Sequence, residues 1–244
     1  MLITSVQNEH VKELAKLKEK KYRDSSECFL VETKHLVIEA YKAGLIQELI
    51  LETNEIFPLD VPTIYVSKEV IKKISSVTTP SNVMALVSKR KEPKEIGEKV
   101  LILDHLQDPG NLGTIIRSAV AFNIDTIVLS IDTVDLYNDK VIRSSEGMIF
   151  NINIIKRDLN SFIKELKNND YEIIGTNVSK GNDINNINLN NKFAILMGNE
   201  GTGLKVELQE LCDVFLYIKM NELCESLNVG VATSIILYEI AKRG

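Results

Sequence analysis

Residues 100–117 read VLILDHLQDPGNLGTIIR, and the fold class can be inferred from them. The first four residues form a continuous apolar run, which is typical of a strand buried on both faces of a parallel sheet. A turn at Pro109-Gly110 follows, and Asn111 can cap the helix that the next residues predict. A buried strand that turns directly into a helix indicates an α/β domain, whose ligands bind beyond the carboxyl ends of the strands.

The same alternation of strand and helix continues to the end of the chain. Further strands are predicted at 126–129, 171–174, 193–197 and 214–218. Helices are predicted at 111–123, near 158–168 and from Ser226 to Lys242, and the Asn-rich stretch 181–191 is predicted to be a loop. Residues 99–244 are therefore predicted to form a mainly parallel sheet with helices on both faces.

The sequence before residue 99 predicts a second, smaller domain. Residues 1–90 alternate between predicted helices and strands, so a small α/β domain is expected there. The helices are predicted at 8–21, 34–43 and 67–74, and the strands at 29–31, 49–51, 64–66 and 84–87. Residues 91–98 are charged, contain a proline and lack an apolar period, which predicts a linker.

Composition and charge restrict the possible functions. The chain has 44% hydrophobic and 26% charged residues, so it belongs to the globular class rather than the disordered one. A net charge of −5 argues against a nucleic-acid partner, but residues 1–96 carry +1 and residues 97–244 carry −6. The basic residues of the first part cluster at Lys16, Lys18, Lys20, Lys21 and Arg23. This cluster is either a phosphate-binding patch or a solvated helix face, and the charge alone leaves both open.

Cysteine spacing and hydropathy indicate the compartment. Cys28, Cys212 and Cys224 are far apart, so neither a zinc site nor a disulfide framework is predicted. The first residues given lack the apolar core that is typical of a signal peptide, and no apolar stretch approaches the roughly 20 residues of a membrane span. A cytoplasmic protein without a membrane or metal partner is expected.

A glycine-rich loop follows the strand predicted at 193–197. It reads MGNEGTGL over residues 197–204, and three glycines within six residues imply close approach of the backbone to another group. It lacks the lysine of a phosphate-binding loop and the GxGxxG of a dinucleotide site, which weighs against a Rossmann-type nucleotide enzyme. The carboxylate of Glu200 would repel a phosphate. A ligand that carries a cation, an amine or a hydroxyl suits this loop better, and S-adenosylmethionine has a sulfonium and an ammonium group.

The last unusual stretch lies between the final strand and the final helix. Residues 218–232 read IKMNELCESLNVGVA, in which Ser226 can act as N-cap of the helix. Asn228 falls in the first turn of an apolar helix and needs a hydrogen-bond partner if it is buried. Asp104, His105 and Ser226 could be imagined as a hydrolase triad, but the GxSxG sequence of such enzymes is absent.

Taken together, these segments resemble a known family. DPGNLGTIIRSA, MGNEGTGL and ESLNVGVA are similar, in this order, to the three motifs of the SpoU (TrmH) family of RNA ribose 2′-O-methyltransferases, within the SPOUT class. Residues 141–150 (VIRSSEGMIF) resemble the stretch between the first two motifs, and the N-terminal residues resemble more loosely the small substrate-binding domain of many members. Lys219 and Thr33 stand where the family usually has proline and glycine.

The resemblance implies a deep trefoil knot, a homodimer and S-adenosylmethionine as the cofactor. It implies that RNA is the partner, with ribosomal RNA favoured over transfer RNA because of the separate N-terminal domain. A transfer RNA methyltransferase, or a catalytically silent RNA- or ribosome-binding protein on the same scaffold, are the alternatives. By the resemblance, the cofactor is held by backbone groups near Thr176, Gly198, Ile218 and Leu227, and the catalytic positions are Asn111, Arg117, Glu200, Ser226 and Asn228.

A mechanism for these positions follows from the chemistry of methyl transfer. A guanidinium rarely gives up a proton, so we expect Arg117 to stabilise the developing alkoxide and grip a phosphate rather than to act as a base. Asn111 and Glu200 would hold Arg117 and the ribose in place. Ser226 and Asn228 would shape the start of the last helix. A carboxylate, a phosphate or water is left to accept the proton.

Overall fold

The computed structural model describes residues 2–93, 95–186, 189–199 and 201–243. The chain divides into two compact units. The first unit contains residues 1–91 and 135–151, and the second contains residues 92–134 and 152–244. In the ranges described, no helix is both long and apolar enough to cross a lipid bilayer.

The elements alternate along the chain as the sequence pattern predicts. The described strands are β1 (Leu2–Ile3), β2 (Cys28–Glu32), β3 (Ile46–Glu52), β4 (Thr63–Val66), β5 (Val83–Ser88), β6 (Lys99–Leu103), β7 (Thr126–Ser130), β8 (Asn153–Arg157), β9 (Glu172–Thr176), β10 (Asn182–Asp183), β11 (Phe193–Met197) and β12 (Val214–Tyr217). The described α-helices are α1 (Glu9–Lys16), α2 (Lys20–Ser26), α3 (Lys34–Lys42), α4 (Lys68–Ile74), α5 (Pro109–Ala121), α6 (Asp139–Ser144), α7 (Leu159–Asn168), α8 (Val206–Gln209) and α9 (Val229–Ala241). Short 3₁₀ helices lie at Met148–Phe150 and Ile184–Asn186.

The second unit is built on a parallel sheet. Its described strands follow the order β10-β12-β9-β11-β6-β7-β8, and every neighbouring pair is parallel. β6 lies between β11 and β7, and Val100 to Leu103 are fully buried, which explains their continuous apolar run. Helices α7 and α8 supply Phe162, Ile163 and Leu208 to a core formed with alternate strand residues. The prediction of a mainly parallel α/β domain is therefore confirmed.

The first unit has a mixed sheet of its own. Its described strands follow the order β1-β4-β3-β5-β2, in which β5 is antiparallel to both β3 and β2. Helices α1 and α4 pack on this sheet, and Val11, Leu14, Val70 and Ile71 share one core with strand residues such as Ile50. The N-terminal part of the chain thus forms a small α/β unit.

Residues 135–151 belong to the first unit by their contacts, although they follow the linker predicted at 91–98. The ring of Phe29 packs against Tyr137 at 4.8 Å and against Phe150 at 6.3 Å between ring centroids. Asp135 accepts a hydrogen bond from the guanidinium of Arg23, and both side chains are largely buried. The sequence pattern assigns this segment to 99–244, because contacts between residues so distant along the chain leave no local pattern. The linker itself stays a prediction.

The single helix predicted at 8–21 is wrong, because α1 ends at Lys16 and α2 begins at Lys20. Arg23 donates to the backbone carbonyl oxygens of Leu17 and Lys18, at 2.7 and 2.8 Å. These bonds satisfy carbonyl groups that a continuous helix would have paired internally, so the break is stabilised from the side. Arg23 is therefore a buried structural residue and not part of the exposed basic cluster.

Two predicted helix caps are also wrong. Asp108, and not Asn111, caps α5, since its carboxylate accepts from the backbone N–H of Asn111 at 2.9 Å and Pro109 can then start the helix. Asn228, and not Ser226, caps α9, because its side-chain oxygen accepts from the N–H groups of Gly230 and Val231. Asn111 and Ser226 therefore have no capping role, whereas Asn228 does.

The remaining differences concern short or mixed segments. The sequence analysis did not predict β8, which carries Lys156 and Arg157 within its five residues. The loop predicted at 181–191 contains the short strand β10 and a 3₁₀ helix. Ile187 and Asn188 of that stretch lie outside the described residues.

Candidate functional site

A cavity of about 360 Å³ opens beyond the carboxyl ends of β9, β11 and β12. It is lined by the residues that follow these strands and by the start of α9, a position typical of ligand sites in parallel sheets. All four predicted cofactor-binding residues and one predicted catalytic residue lie on its wall, namely Thr176, Gly198, Ile218, Leu227 and Ser226. Loops far apart in sequence thus converge on one space.

The glycine loop folds back on its own backbone. A Cβ atom on Gly198 would lie 2.2 Å from the carbonyl carbon of Gly203 and 2.3 Å from the amide nitrogen of Leu204. Gly203 has a φ of +69°, which favours glycine. The side-chain oxygen of Asn199 accepts from the backbone N–H groups of Gly201 and Thr202, at 2.8 Å each. The glycines predict that the backbone approaches another group closely. In the structure, that group is the backbone at the other end of the same loop.

The other walls of the cavity combine apolar and polar groups. The hydroxyl of Thr176 donates to the carbonyl oxygen of Leu196 at 2.8 Å, which ties the end of β9 to β11. Leu216, Val229 and Ile236 supply apolar surface. None of the described lining residues carries a charge. A cofactor with an apolar ring and a cationic centre fits this lining, because no described lysine or arginine would repel it there.

The first and last motifs meet between α5 and α9, which pack against each other. The side-chain amide of Asn228 donates to the side-chain oxygen of Asn111 at 3.0 Å. A Cβ atom on Gly230 would meet the side chain of Thr114 at 3.6 Å, so the helices approach closely there. The structure therefore brings Asn111 and Asn228 together. Asn228 is exposed rather than buried, so this hydrogen bond joins the two helices without being required by burial.

The remaining predicted catalytic residues are Arg117 and Glu200. Arg117 lies on the exposed side of α5 and is not among the described residues that line the cavity. Glu200 lies outside the described residues. The catalytic roles of Asn111, Arg117, Glu200, Ser226 and Asn228, and the cofactor contacts, remain predictions, to which the structure adds the positions of all except Glu200.

A group of charged residues near the same strand ends was not assigned by the sequence analysis. The Nδ1 atom of His105 lies 2.7 Å from the carboxylate of Asp132. The ammonium of Lys205 lies 3.3 Å from Asp132 and 3.3 Å from the buried carboxylate of Asp104. The ring of His105 also contacts the side-chain amide of Gln107, so no triad with Ser226 forms. The available signal was that each charged residue follows a parallel strand or its loop.

These contacts shift the pKa values of the group. The hydroxyl of Ser130 donates to Asp132 at 2.5 Å, and this bond, with contributions from Lys205 and His105, holds the pKa of Asp132 far below its usual range despite partial burial. Burial lowers the pKa of Lys205, but attraction to Asp104 and hydrogen bonds to Asp132 and Asp104 outweigh it, so the pKa is raised. Asp132 and Lys205 are therefore both charged at neutral pH.

Comparisons with known proteins give one consistent result. Residues 98–238 match the SpoU rRNA Methylase family, and residues 8–85 match the MRM3-like substrate binding domain. The chain is 36% identical over 243 residues to the 23S rRNA (guanosine(2553)-2′-O)-methyltransferase RlmP of Bacillus subtilis, with 98% of each chain covered. It is similar to the solved structure of an AdoMet-bound rRNA methyltransferase from Sinorhizobium meliloti, at 30% identity and a TM-score of 0.88, over 100% of this chain and 97% of that one. A solved RNA 2′-O ribose methyltransferase is also similar, at 30% identity and a TM-score of 0.85, over 100% and 98% of the chains.

The fold and the cavity define an α/β domain with a ligand-sized cavity at the carboxyl ends of a parallel sheet, which is where enzymes of this class bind their ligands. The chain belongs to the SpoU rRNA methylase family. The predictions of the family, of an RNA methyltransferase and of S-adenosylmethionine as its cofactor are confirmed. A Rossmann-type nucleotide enzyme is excluded by the same matches.

Replacement of Gly198 by alanine is expected to weaken S-adenosylmethionine binding by about tenfold or more, because the new methyl group would displace the backbone of Gly203 and Leu204. Gly201→Ala is the matched comparison, since a Cβ there would meet only the side chain of Asn199, at an ordinary 3.6 Å. Isothermal titration calorimetry measures both dissociation constants. An equal loss of affinity in the two variants would contradict the geometric explanation.

Proposed function

We propose that this enzyme transfers the methyl group of S-adenosylmethionine to a ribose 2′-hydroxyl of 23S ribosomal RNA. The observation that carries the proposal is the convergence of the Gly198 loop, Ile218 and Leu227 on one cavity whose described lining residues carry no charge, while Asn111 and Asn228 meet on the adjoining helices. The similarity to RlmP along nearly the whole of both chains supports the choice of RNA.

The chain's own residues would hold the cofactor and prepare the hydroxyl. Thr176, Gly198, Ile218 and Leu227 would bind it through the cavity wall. When bound, the cofactor supplies an electrophilic methyl group on a sulfonium. The ribose oxygen would give up its proton to a carboxylate, a phosphate or water while its new bond to the methyl carbon replaces the bond between that carbon and sulfur. Positioning two reactants in this way converts a bimolecular encounter into an intramolecular one.

Arg117 is proposed to act on the RNA rather than on the cofactor. Its exposure on α5 leaves the guanidinium accessible to a large substrate. A guanidinium stabilises a developing alkoxide and binds phosphate through paired hydrogen bonds, but it rarely accepts the proton. The Asn111–Asn228 hydrogen bond would orient the start of the helix that carries Arg117, and Glu200 and Ser226 complete the proposed set.

The function is tested with S-adenosylmethionine labelled on its methyl group. We expect label in unmodified 23S ribosomal RNA, within dinucleotides that resist alkaline hydrolysis, because a methylated 2′-oxygen cannot attack the neighbouring phosphodiester. Label on a base would contradict the ribose as the acceptor. Label confined to transfer RNA would contradict the ribosomal substrate and favour the alternative.

Arg117→Ala is expected to lower kcat at least about 100-fold and to leave the dissociation constant of S-adenosylmethionine within about threefold. The reason is that Arg117 is not among the described cavity-lining residues. Arg157→Ala, which removes a half-buried arginine of the same unit that pairs with Glu92, is the control. Full methyl transfer by Arg117→Ala would refute the proposed role.

The first unit offers a surface for the RNA. The C-terminal ends of α1 and α4 meet where the ammonium of Lys18 donates to the carbonyl oxygen of Lys73 at 2.9 Å. Burial, followed by repulsion from Lys73, lowers the pKa of Lys18. Lys16 and Lys21 lie over the ring of Tyr22, at 5.5 and 4.7 Å from its centroid. A phosphate would relieve the repulsion between Lys18 and Lys73, which supports an RNA-binding patch over a merely solvated helix face.

The double variant Lys18→Ala, Lys73→Ala should bind ribosomal RNA about tenfold more weakly near physiological salt, and the slope of log affinity against log salt should fall by about 2. A filter-binding titration at several salt concentrations measures both quantities. Lys34→Ala, Lys42→Ala is the matched control, because it removes two exposed lysines of the same unit that pair with Glu55 and Glu39. Equal salt slopes for the two double variants would refute the patch.

We also propose that the enzyme is a cytoplasmic homodimer with the knotted topology that its family resemblance implies. Helix α9 is apolar along most of its length, yet Val231 and Tyr238 are 48% and 52% exposed. An apolar helix of this kind is usually buried on all sides, which supports a second copy as its cover. Light scattering should give twice the 27.4 kDa of one chain, and a monomer under assay conditions would contradict the dimer.

A further inference from the structure

Two residues of the second unit violate local conformational preferences. His105 has a φ of +53°, in the left-handed region that side chains with a Cβ rarely adopt. Lys205 is the N-cap of α8, yet its side chain makes no capping hydrogen bond and its positive charge stands at the unfavourable end of the helix. Residues that break local rules often do so because another contact requires their side chains.

Both side chains reach the same carboxylate. Asp132 lies 2.7 Å from the ring of His105 and 3.3 Å from the ammonium of Lys205. Lys205 also lies 3.3 Å from Asp104, which is 1% exposed. The hydroxyl of Ser130 donates a hydrogen bond to Asp132 and accepts one from the backbone N–H of His105 at 2.8 Å. The two unfavourable positions are thus explained by one shared partner.

These contacts join three loops that leave neighbouring strands. His105 follows β6, Asp132 follows β7, and Lys205 follows the glycine loop that begins after β11. The glycine loop is attached to the β6 end a second time, because the side-chain amide of Asn199 donates to the carbonyl oxygen of His105 at 3.5 Å. Both ends of the loop are therefore attached to residues that follow β6, Asn199 to His105 and Lys205 to Asp104.

We propose that Asp132, together with His105 and Lys205, forms a clamp that holds the glycine loop in the shape that binds S-adenosylmethionine. The three are positioning residues, since none of them is among the described residues on the cavity wall. The proposal rests on the cofactor site of the proposed function. A loop that is ordered before binding loses less conformational freedom when the ligand arrives, so the clamp increases affinity.

Charge removal tests the clamp. Asp132→Asn and Lys205→Met should each raise the dissociation constant of S-adenosylmethionine three- to tenfold in calorimetry, whereas Lys205→Arg should keep it within about twofold. In methylation assays the KM for S-adenosylmethionine should rise in the same proportion, with kcat at saturating cofactor nearly unchanged. Glu92→Gln is the control, because it removes the charge from another solvent-accessible ion pair of the same unit, the pair with Arg157.

His105→Gly separates positioning from simple stabilisation. Glycine adopts a positive φ without steric conflict, so the melting temperature should stay within about 3 °C of the wild type. The affinity for S-adenosylmethionine should fall as in Asp132→Asn, because the ring contact to the carboxylate is lost. A variant that keeps both its melting temperature and its affinity would overturn the clamp.

The outcomes also distinguish the clamp from the proposed function. Unchanged cofactor affinity in Asp132→Asn and Lys205→Met refutes the clamp, whatever the RNA substrate is. A drop in kcat with an unchanged KM refutes it as well. Weakened cofactor binding in these variants, combined with a wild type that labels no ribose, supports the clamp and refutes the ribose as acceptor.

Discussion

The parallel pairing of β11 with β6 is the constraint on which the site depends. The two strands run in register from Phe193 opposite Lys99 to Met197 opposite Leu103, so they end at the same level. The backbone N–H of Asp104 donates to the carbonyl oxygen of Met197 at 2.9 Å, which extends the pairing by one more bond. The glycine loop and the first motif therefore start side by side, although nearly a hundred residues separate them in the chain.

This shared starting point gives the two motifs different tasks. The glycine loop turns back on Gly198 and forms cavity wall, and the first motif turns into α5. Because α5 packs against α9, Asn111 meets Asn228 at the start of the last helix. The three motifs are thus joined by backbone pairing, by close helix packing and by one amide–amide hydrogen bond. The charged residues Asp104, Asp132 and Lys205 add a fourth connection outside the motifs.

The sequence predicted most of this arrangement wherever the information is local. Continuous apolar runs revealed β6, β7 and β11 because they are buried on both faces, whereas β8 was missed because only Ile155 of its residues is buried. The wrong cap of α5 arose because Asp108 and Asn111 are both good capping residues, and only the backbone geometry distinguishes them. The inclusion of 135–151 in the first unit depends on pairs such as Arg23 and Asp135, which lie 112 residues apart.

Arg117 is exposed, whereas the residues proposed to bind the cofactor lie on a cavity wall. This difference is consistent with the difference in size between an RNA and a small cofactor. A small cofactor can be enclosed, and the residues proposed to bind it lie on the wall of one cavity. A folded RNA cannot enter such a space, so a residue that acts on its ribose has to reach outward. The exposed position of Arg117 on α5 meets this requirement, and a buried arginine at the same point in the motif would not. Exposure of a charged helix residue by itself indicates only solvation, and it is the proposed action on a ribose that would require Arg117 to be exposed at this place.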